Sequence, residues 1–228
     1  MSTLDIYELG TVPYEKALRY QENLLARRIT EEIPDSLILL EHPPTITTGR
    51  KGNTEHLLVR EEYLRKHGIS FVNASRGGDI TFHGPGQIVG YPILNLKDHS
   101  MDIRRHMKMI EEMIINTLAD FDIEGRRIER VTGVWVKRNK IASIGIAIRK
   151  WVTYHGFALN VSTNLDYFDL ILSCGITDVR ITSMESWLGD GRNIKVDDVT
   201  QSVIRNFMGV FGFENFSLKG EKEIDLNP

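Results

Sequence analysis

This sequence predicts no disulfide, no membrane-spanning helix and no leader segment. It has one cysteine in 228 residues, so no disulfide can form within the chain and folding does not require an oxidising compartment. No run of 18 or more apolar residues is present, which argues against a transmembrane helix. The first ten residues lack a basic stretch followed by an apolar one and include Asp5 and Glu8, which is atypical of secretory and transit peptides. We expect a cytoplasmic protein that does not associate with membranes.

Positive charge is not in excess either. Lys and Arg total 28 against 31 Asp and Glu, a formal net charge of -3, so the chain has no bulk positive field for nucleic acid and no such partner is expected. A local basic cluster lies within fifteen residues, formed by Arg126, Arg127, Arg130, Lys137, Arg138 and Lys140. Such a cluster could contact an acidic protein.

The chain contains no internal repeat and no linker rich in Pro, Gly or Ser. Its length lies near the upper end for one compact domain, and a composition of 41% hydrophobic and 26% charged residues is typical of a globular protein. We therefore predict a single domain over residues 1–228. Residues 190–228 are either part of it or a small C-terminal helical extension.

Apolar spacing predicts alternating helices and strands. The strongest helical signal runs from Asp102 to Phe121, where apolar residues recur every three or four positions. Further helices are predicted after Pro13, over 54–66 with Gly68 as a C-terminal cap, near 183–189 and over 197–211, and further strands over 36–41 and 69–74. GVWVK, KIASIGIAI and WVTYHGFALNV predict an antiparallel meander because short polar turns separate them. The pattern favours an α+β (α/β-like) domain with a mixed, largely antiparallel sheet flanked by helices.

The segment 76–92, RGGDITFHGPGQIVGYP, holds five glycines and two prolines in seventeen residues, too many for a packed strand pair alone. Gly77 and Gly78 permit positive φ and would let main-chain N–H groups approach a bound carbonyl. In the strand that follows, alternation puts Asp79, Thr81 and His83 on one face. This polar face could line a cleft, and the alternative is a glycine-rich hairpin with a solvated face.

Cys174 follows an apolar run and precedes a glycine, so its thiol is expected at an accessible turn. The alternative is an inert, buried cysteine, which is the commoner environment of a free thiol. A reactive thiol needs a partner that raises its thiolate fraction, and the candidates are Lys140, His83 and His155.

Lys140 begins a predicted strand, and alternation puts it on the same face as Ala142 and Ile146. The opposite row includes Ser143 and Gly145, which are small enough for a chain-like ligand to lie against. The alternative for Lys140 is a solvated hairpin lysine whose methylene groups cover apolar surface.

The order of these segments resembles that of the lipoate-protein ligase B family of lipoyl(octanoyl) transferases. The matching blocks are RGGDITFHGPGQIVGYPILNL, then GVWV with KIASIGIAIRKWVTYHGFALNV, then SCGITD with VRITSM, and they cover roughly residues 36–188. One departure is visible, because Ser173 precedes the cysteine where the family usually has proline. It puts the geometry of that turn in doubt more than the role of the cysteine.

The resemblance implies a fold like the biotin/lipoate protein ligase catalytic domain and an acyl thioester on Cys174, with Lys140 as the residue that activates the thiol. It also implies three substrate-binding stretches, namely Arg76, Gly77, Gly78, Asp79, Ile80, Thr81, Phe82 and His83; Ser143, Ile144 and Gly145; and Gly156, Phe157 and Ala158. His155 and Tyr91 are candidate supporting residues. No His, Cys or Asp grouping has metal-ligand spacing, so we expect neither a metal nor another cofactor.

The partners that the resemblance implies are octanoyl-acyl carrier protein as donor, and lipoyl domains of 2-oxoacid dehydrogenases or the glycine-cleavage H protein as acceptors, in lipoate biosynthesis. Two other interpretations remain open. An ATP-dependent lipoate or biotin protein ligase would adenylate a free acid and would not need Cys174. A non-catalytic module would bind acyl carrier or lipoyl domains without a covalent adduct.

Overall fold

The computed structural model describes residues 3–172, 180–189 and 194–224, which form a large mixed sheet with helices on both faces and a small three-stranded sheet beside it. The strands are β1 Thr3–Thr11, β2 Asp35–Glu41, β3 Thr45–Thr48, β4 Ser70–Asn73, β5 Ile80–His83, β6 Gln87–Ile93, β7 Arg126–Ile128, β8 Val131–Val136, β9 Asn139–Arg149, β10 Val152–Asn160, β11 Arg180–Ile181 and β12 Asn215–Lys219. The helices are α1 Tyr14–Ile29, α2 Glu61–Lys66, α3 Ile103–Ala119, α4 Met184–Leu188 and α5 Val196–Phe211, with short 3-10 turns at Thr54–His56, Leu165–Leu170 and Glu221–Glu223.

The large sheet has the strand order β12-β1-β2-β6-β10-β9-β8-β7, and β11 pairs with the start of β9. The pairs β1–β12, β1–β2 and β9–β11 are parallel, whereas the pairs from β2 through β6, β10, β9 and β8 to β7 are antiparallel. The predicted meander corresponds to β8, β9 and β10. The prediction of an α+β domain with a mixed, largely antiparallel sheet is therefore confirmed.

Helix α1 makes the crossover that the parallel strands β1 and β2 require. Pro13 lies directly before its first residue, where a missing N–H costs no helical hydrogen bond. Ala17, Leu24 and Leu25 face the sheet and are fully buried against it. The apolar stripe of the helix thus covers one face of the large sheet.

Helices α3 and α5 cover the opposite face. Ile110 and Leu118 of α3 pack with Val203 and Phe207 of α5 in one apolar core, and all four side chains are fully buried. Strand β12 then adds to the edge of the sheet beside β1. The described residues after 193 therefore belong to the same core and the same sheet as the rest of the chain.

The small sheet has the order β4-β3-β5 and its own apolar core, in which Ile46, Ile80 and Phe82 pack with Leu64 of α2 and Phe168. The loop from β4 to β5 reaches the large sheet. A cleft forms between the two sheets as a result.

Most predicted helices are confirmed, but the helix predicted over 54–66 is wrong. The backbone leaves the 3-10 turn at Leu57, which forms a β-bridge with Ile171, and the N–H of Leu58 donates to the carbonyl of Leu170. These residues use their backbone groups for pairing with a distant segment, so only α2 is helical. Gly68 closes α2 with a φ of 67°, as predicted. None of the described helices is both long and apolar enough to cross a bilayer.

A buried ionic cluster around Asp35 ties α1 to the sheet. Its carboxylate accepts hydrogen bonds from Nε of Arg28 at 2.7 Å and from the N–H of Asn95 at 2.9 Å, and it lies 2.7 Å from Nε2 of His99. Burial acts to raise the pKa of Asp35, but the bonds from His99, Arg28 and Asn95 outweigh it, so the pKa lies below the usual 3.8.

We predict that Asp35→Asn lowers the free energy of unfolding by about 3 kcal/mol, because Arg28 loses a buried charge partner. Asp98 also contacts Arg28, but its side chain is 55% exposed against 6% for Asp35, so Asp98→Asn should cost less than about 1 kcal/mol. Urea unfolding of both variants measures this difference. Equal losses would contradict the assignment.

The pH dependence of the free energy of unfolding gives a second test of Asp35. Because the pKa of Asp35 is lower in the folded chain than in the unfolded one, its stabilising effect is complete well above pH 3.8 and is lost as the pH falls through the folded value. The stability of the wild type should therefore fall more steeply with acid than that of Asp35→Asn.

Candidate active site

The cleft between the two sheets contains a cavity with a volume of about 70 Å³. Its floor is formed by small residues on adjacent strands, Ser143 and Gly145 of β9 with Gly156 and Ala158 of β10. The segment from Arg76 to Thr81 forms part of its opposite wall. An elongated ligand could lie across the strands here without meeting large side chains.

Backbone contacts hold the Arg76–Gly78 loop directly against β9. The N–H of Gly77 donates to the carbonyl of Ile146 at 3.0 Å, and Gly78 has a φ of 85°. A Cβ atom at position 145 would lie 2.6 Å from the carbonyl oxygen of Gly77, closer than real contacts allow. Since the N–H of Gly77 is already bonded, the expectation that it approaches a bound carbonyl is wrong.

Arg76 locks the other side of this loop. Its guanidinium donates to the carbonyl of Thr47 at 2.7 Å and to the hydroxyl of Thr47 at 2.9 Å and 3.2 Å, and it also reaches the carbonyl of Gly77. The side chain is buried at the cavity. Arg76 therefore fixes the loop against β3 while it brings positive charge to the cavity wall.

Lys140 lies on the cavity side of β9 because the strand contains an extra residue. Val134 pairs with Ala142 and Trp135 pairs with Lys140, so Ile141 has no partner on β8 and forms a β-bulge. The amine of Lys140 lies 5.8 Å from the centre of the Trp135 ring, and its side chain passes over Gly133.

The bulge corrects the prediction that Lys140 shares a face with Ala142 and Ile146. Those two residues are in the core beneath α3 and α5, whereas Lys140 lines the cavity together with Ser143 and Gly145. Lys140 is only 5% exposed. It is therefore a buried amine beside the small row of β9 and not a solvated hairpin lysine.

Two buried histidines, His42 and His83, contact β6, and of these His83 lines the cavity. Nδ1 of His42 donates to the carbonyl of Val12 at 2.6 Å, so its Nε2 accepts from the hydroxyl of Tyr91 at 2.7 Å. Nδ1 of His83 lies 2.8 Å from Oε1 of Gln87. Burial lowers the pKa of His42 to about 4, so this ring is neutral near pH 7. Burial, together with the nearby His42 and Arg76, which would both disfavour a second positive charge, holds the pKa of His83 well below 6.5.

His155 lies in β10 with a positive φ of 55°, which is uncommon for a residue other than glycine. Its Nε2 is 3.0 Å from the hydroxyl of Ser75, and its buried Nδ1 has no hydrogen-bond partner among the described residues. Burial, followed by the charges of Arg76 and Arg50, lowers the pKa of His155 to about 3. In the described part of the chain, no three His, Cys, Asp or Glu side chains are grouped as metal ligands.

The cavity brings together the predicted site residues that the structure describes, with one exception. It is lined by Arg76, Gly77, Gly78, Asp79, Ile80, Thr81, His83, Tyr91, Lys140, Ser143, Ile144, Gly145, His155, Gly156, Phe157 and Ala158. Phe82 is the exception, because its ring stacks on Tyr167 at 4.6 Å in the core of the small sheet. Successive side chains of a strand point to opposite faces, so Phe82 points away from the face that carries Thr81 and His83.

Four further lining residues, Tyr14, Val89, Phe168 and Ile181, were missed by the sequence predictions. Val89 lies two residues before Tyr91 on the same strand, so alternation was a usable signal for it. Tyr14, Phe168 and Ile181 come from a helix start, a 3-10 turn and a two-residue strand. Only the tertiary fold brings those three to the cavity.

Cys174 lies outside the described residues, but the chain on its N-terminal side ends near the cavity. The N–H of Leu172 donates to the carbonyl of His56 at 2.7 Å. Nδ1 of the same histidine lies 2.6 Å from Oδ2 of Asp79, one of the lining residues.

The chain on the C-terminal side begins beside Lys140. Strand β11 pairs with Asn139 and Lys140 in parallel, and the N–H of Thr182 donates to the carbonyl of Lys140 at 2.9 Å. The carbonyl of Thr182 in turn accepts from Nδ2 of Asn160 at 3.0 Å. The described residues that flank positions 173–179 are thus bonded to residues at or next to the cavity.

Comparisons with known proteins match nearly the whole chain. The family model of the lipoyl protein ligase A/B catalytic domain matches residues 13–208. An octanoyltransferase of Caldicellulosiruptor bescii is 46% identical over 225 residues, covering 98% of this chain and 98% of that protein. An octanoyltransferase of Solibacter usitatus is 47% identical over 207 residues, covering 91% and 92%.

The fold is also that of a solved ligase. A crystal structure of lipoate-protein ligase A bound with ATP superimposes with a TM-score of 0.79, covering 98% of this chain and 90% of that one. The sequences are 21% identical, so this likeness concerns the fold alone.

We predict that Gly145→Ala costs about 2 kcal/mol of stability, because the new methyl group would displace the Gly77 carbonyl and weaken the bond between Gly77 and Ile146. Gly209 of α5 is the matched control, since a Cβ there meets nothing within 4 Å. Gly209→Ala should raise stability by about 0.5–1 kcal/mol. Thermal or urea unfolding measures the stability of both variants. A Gly145→Ala variant as stable as the wild type would contradict the close approach of Gly77 to position 145.

Proposed function

We propose that this protein is an acyltransferase of lipoate biosynthesis that moves an octanoyl group onto lipoyl domains. The chain belongs to the lipoyl protein ligase A/B family. The observation that carries the proposal is the position of Lys140, a buried amine in the wall of a cavity whose floor is made of small residues. The octanoyltransferase relatives match this chain over nearly its full length, which supports the same chemistry.

Cys174 is the proposed nucleophile, and the chain connectivity supports it. Leu172 precedes it by two residues, and two residues span at most about 7 Å. Leu172 is bonded to His56, which contacts the cavity residue Asp79, and Arg180 on the other side pairs beside Lys140. The described residues on both sides of Cys174 thus contact residues of the cavity that Lys140 lines, which supports Cys174 as the nucleophile.

In the first half-reaction, Lys140 takes the proton of the Cys174 thiol and the thiolate attacks the carbonyl carbon of the octanoyl thioester. The bond from that carbon to the carrier sulfur breaks, and the carrier thiol leaves with the proton from Lys140. One thioester replaces another, so the step needs little free energy.

In the second half-reaction, the amine of the acceptor lysine attacks the carbonyl carbon of the acyl-enzyme. The carbon–sulfur bond to Cys174 breaks, an amide forms, and Lys140 passes a proton from the amine to the cysteine sulfur. An amide is more stable than a thioester, so the proposed reaction runs forward without ATP.

The proposed donor is octanoyl-acyl carrier protein, and the proposed acceptors are lipoyl domains of 2-oxoacid dehydrogenases and the glycine-cleavage H protein. The proposed substrate-binding residues are those of the three predicted stretches that line the cavity, without Phe82. The proposed compartment is the cytoplasm, where a nucleophilic thiol stays reduced.

An ATP-dependent ligase is the main alternative, because lipoate-protein ligase A shares the fold. Such an enzyme activates a free acid as an adenylate and needs no thiol. The dependence of turnover on Cys174 and on ATP separates the two mechanisms.

We predict that wild-type protein incubated with octanoyl-acyl carrier protein gains the mass of one octanoyl group on Cys174, and that Cys174→Ala gains none and loses turnover. Intact mass spectrometry and peptide mapping measure the adduct. An ATP-dependent turnover that survives Cys174→Ala would show that the ligase alternative is correct.

We also predict that Lys140→Ala slows alkylation of Cys174 by iodoacetamide at pH 7 by at least about tenfold, because fewer thiols are ionised without a base. Lys150→Ala, in the exposed turn between β9 and β10, should leave the rate unchanged. The difference should disappear at alkaline pH, where a thiol ionises unaided. Equal rates in both variants at pH 7 would remove Lys140 from the mechanism.

A further inference from the structure

Tyr14 separates the cavity from a second, outer space. It lines the cavity, and it also lines a groove of about 560 Å³ between α1, α2 and the small sheet. The two sets of lining residues share Tyr14 and no other described residue. Its side chain is 3% exposed, so the ring fills the boundary between the two spaces.

The ring is held firmly in that position. Tyr14 is the first residue of α1, directly after Pro13. Its ring stacks on His83 with centroids 6.0 Å apart and contacts His42 at 5.2 Å. Both histidines are buried, so the ring is packed and does not swing freely.

Tyr14 lies on the β6 side of the cavity, across β10 from Lys140. Lys140 is at the start of β9, whereas the histidines that contact Tyr14 lie beside β6, His42 at Tyr91 and His83 at Gln87. Gln87 pairs with Asn160 of β10, next to Leu159, which pairs with Ala142 of β9. The path from Lys140 to Gln87 therefore crosses two strand spacings, about 10 Å, which is close to the roughly 9 Å length of an extended octanoyl chain and shorter than a dodecanoyl chain. An acyl chain whose carbonyl lies at Lys140 would therefore extend toward Tyr14.

The ring matters here more than the hydroxyl. The hydroxyl of Tyr14 is buried and has no hydrogen-bond partner among the described residues. Burial raises the pKa of Tyr14 to about 12, so the group stays neutral. Phenylalanine would fill the same space, whereas a small residue would join the cavity to the groove.

We propose that the ring of Tyr14 is the end wall of the acyl site and sets the longest acyl chain that the enzyme accepts. The inference rests on the proposed acyl transfer and adds its specificity determinant. The lining of the groove behind the ring includes Pro43, Leu64, Ile69 and Phe71 as well as charged residues such as Glu61 and Arg65. An alkyl chain that passed the wall could therefore contact apolar side chains in the groove.

The test compares acyl-enzyme formation from octanoyl, dodecanoyl and hexadecanoyl thioesters of coenzyme A, followed by intact mass. Wild type should react with octanoyl and discriminate against the two longer chains. Tyr14→Ala should raise the dodecanoyl to octanoyl rate ratio by at least about tenfold, since each added methylene group is then buried in the groove. Tyr14→Phe, which keeps the ring, should retain the wild-type ratio.

Two results would overturn the inference. One is a wild-type enzyme that accepts dodecanoyl as fast as octanoyl, which needs no variant. The other is a folded Tyr14→Ala with an unchanged ratio, and Tyr14→Val provides a milder truncation if the alanine variant unfolds.

A binding measurement separates this inference from the proposed function. Free octanoate and dodecanoate should raise the melting temperature in proportion to their affinity for the folded chain. Preferential stabilisation of Tyr14→Ala by dodecanoate would support the end wall even if no acyl-enzyme formed on Cys174. If Tyr14→Ala forms the acyl-enzyme with the same chain-length preference as the wild type, the transferase function is supported and the role of Tyr14 as end wall is contradicted.

Discussion

The candidate site depends on the direct backbone contact between the Arg76–Gly78 loop and β9. Two main chains meet there with no side chain between them, through the hydrogen bond from Gly77 to Ile146. That approach is possible only because position 145 has no Cβ. The loop in turn is held from the small sheet by Arg76, which bonds Thr47. One contact thus joins the two sheets and leaves the cavity between them.

Burial keeps the histidines in and beside the cavity uncharged. His83, His42 and His155 all have a pKa below the ordinary range because burial penalises their charged forms, so they are neutral hydrogen-bonding groups near pH 7. Arg76 and Lys140 are the basic side chains that remain in the lining. A cavity of this kind suits the uncharged acyl thioester of the proposed reaction.

The sequence predicted those features that depend on local pattern. The amphipathic spacing of α3 and the meander of β8 to β10 have periods of 3.6 and 2, and both predictions are confirmed. The predicted helix over 54–66 failed because Leu57 and Leu58 form their backbone bonds with a segment more than a hundred residues away. Local spacing carries no information about such a partner.

Lys140 and Tyr14 show the same limit at the site itself. Alternation assigned Lys140 to the wrong face because a single extra residue, Ile141, shifts the register of β9, and a bulge leaves no reliable mark in one sequence. Tyr14 was missed because it belongs to a helix start that meets the cavity only after α1 has packed on the sheet. Motif resemblance pointed to the glycine loop and to Lys140, and the structure brings both to one cavity. The shape of the cavity is a property of packing, and Tyr14, which lies outside every motif, forms part of its wall.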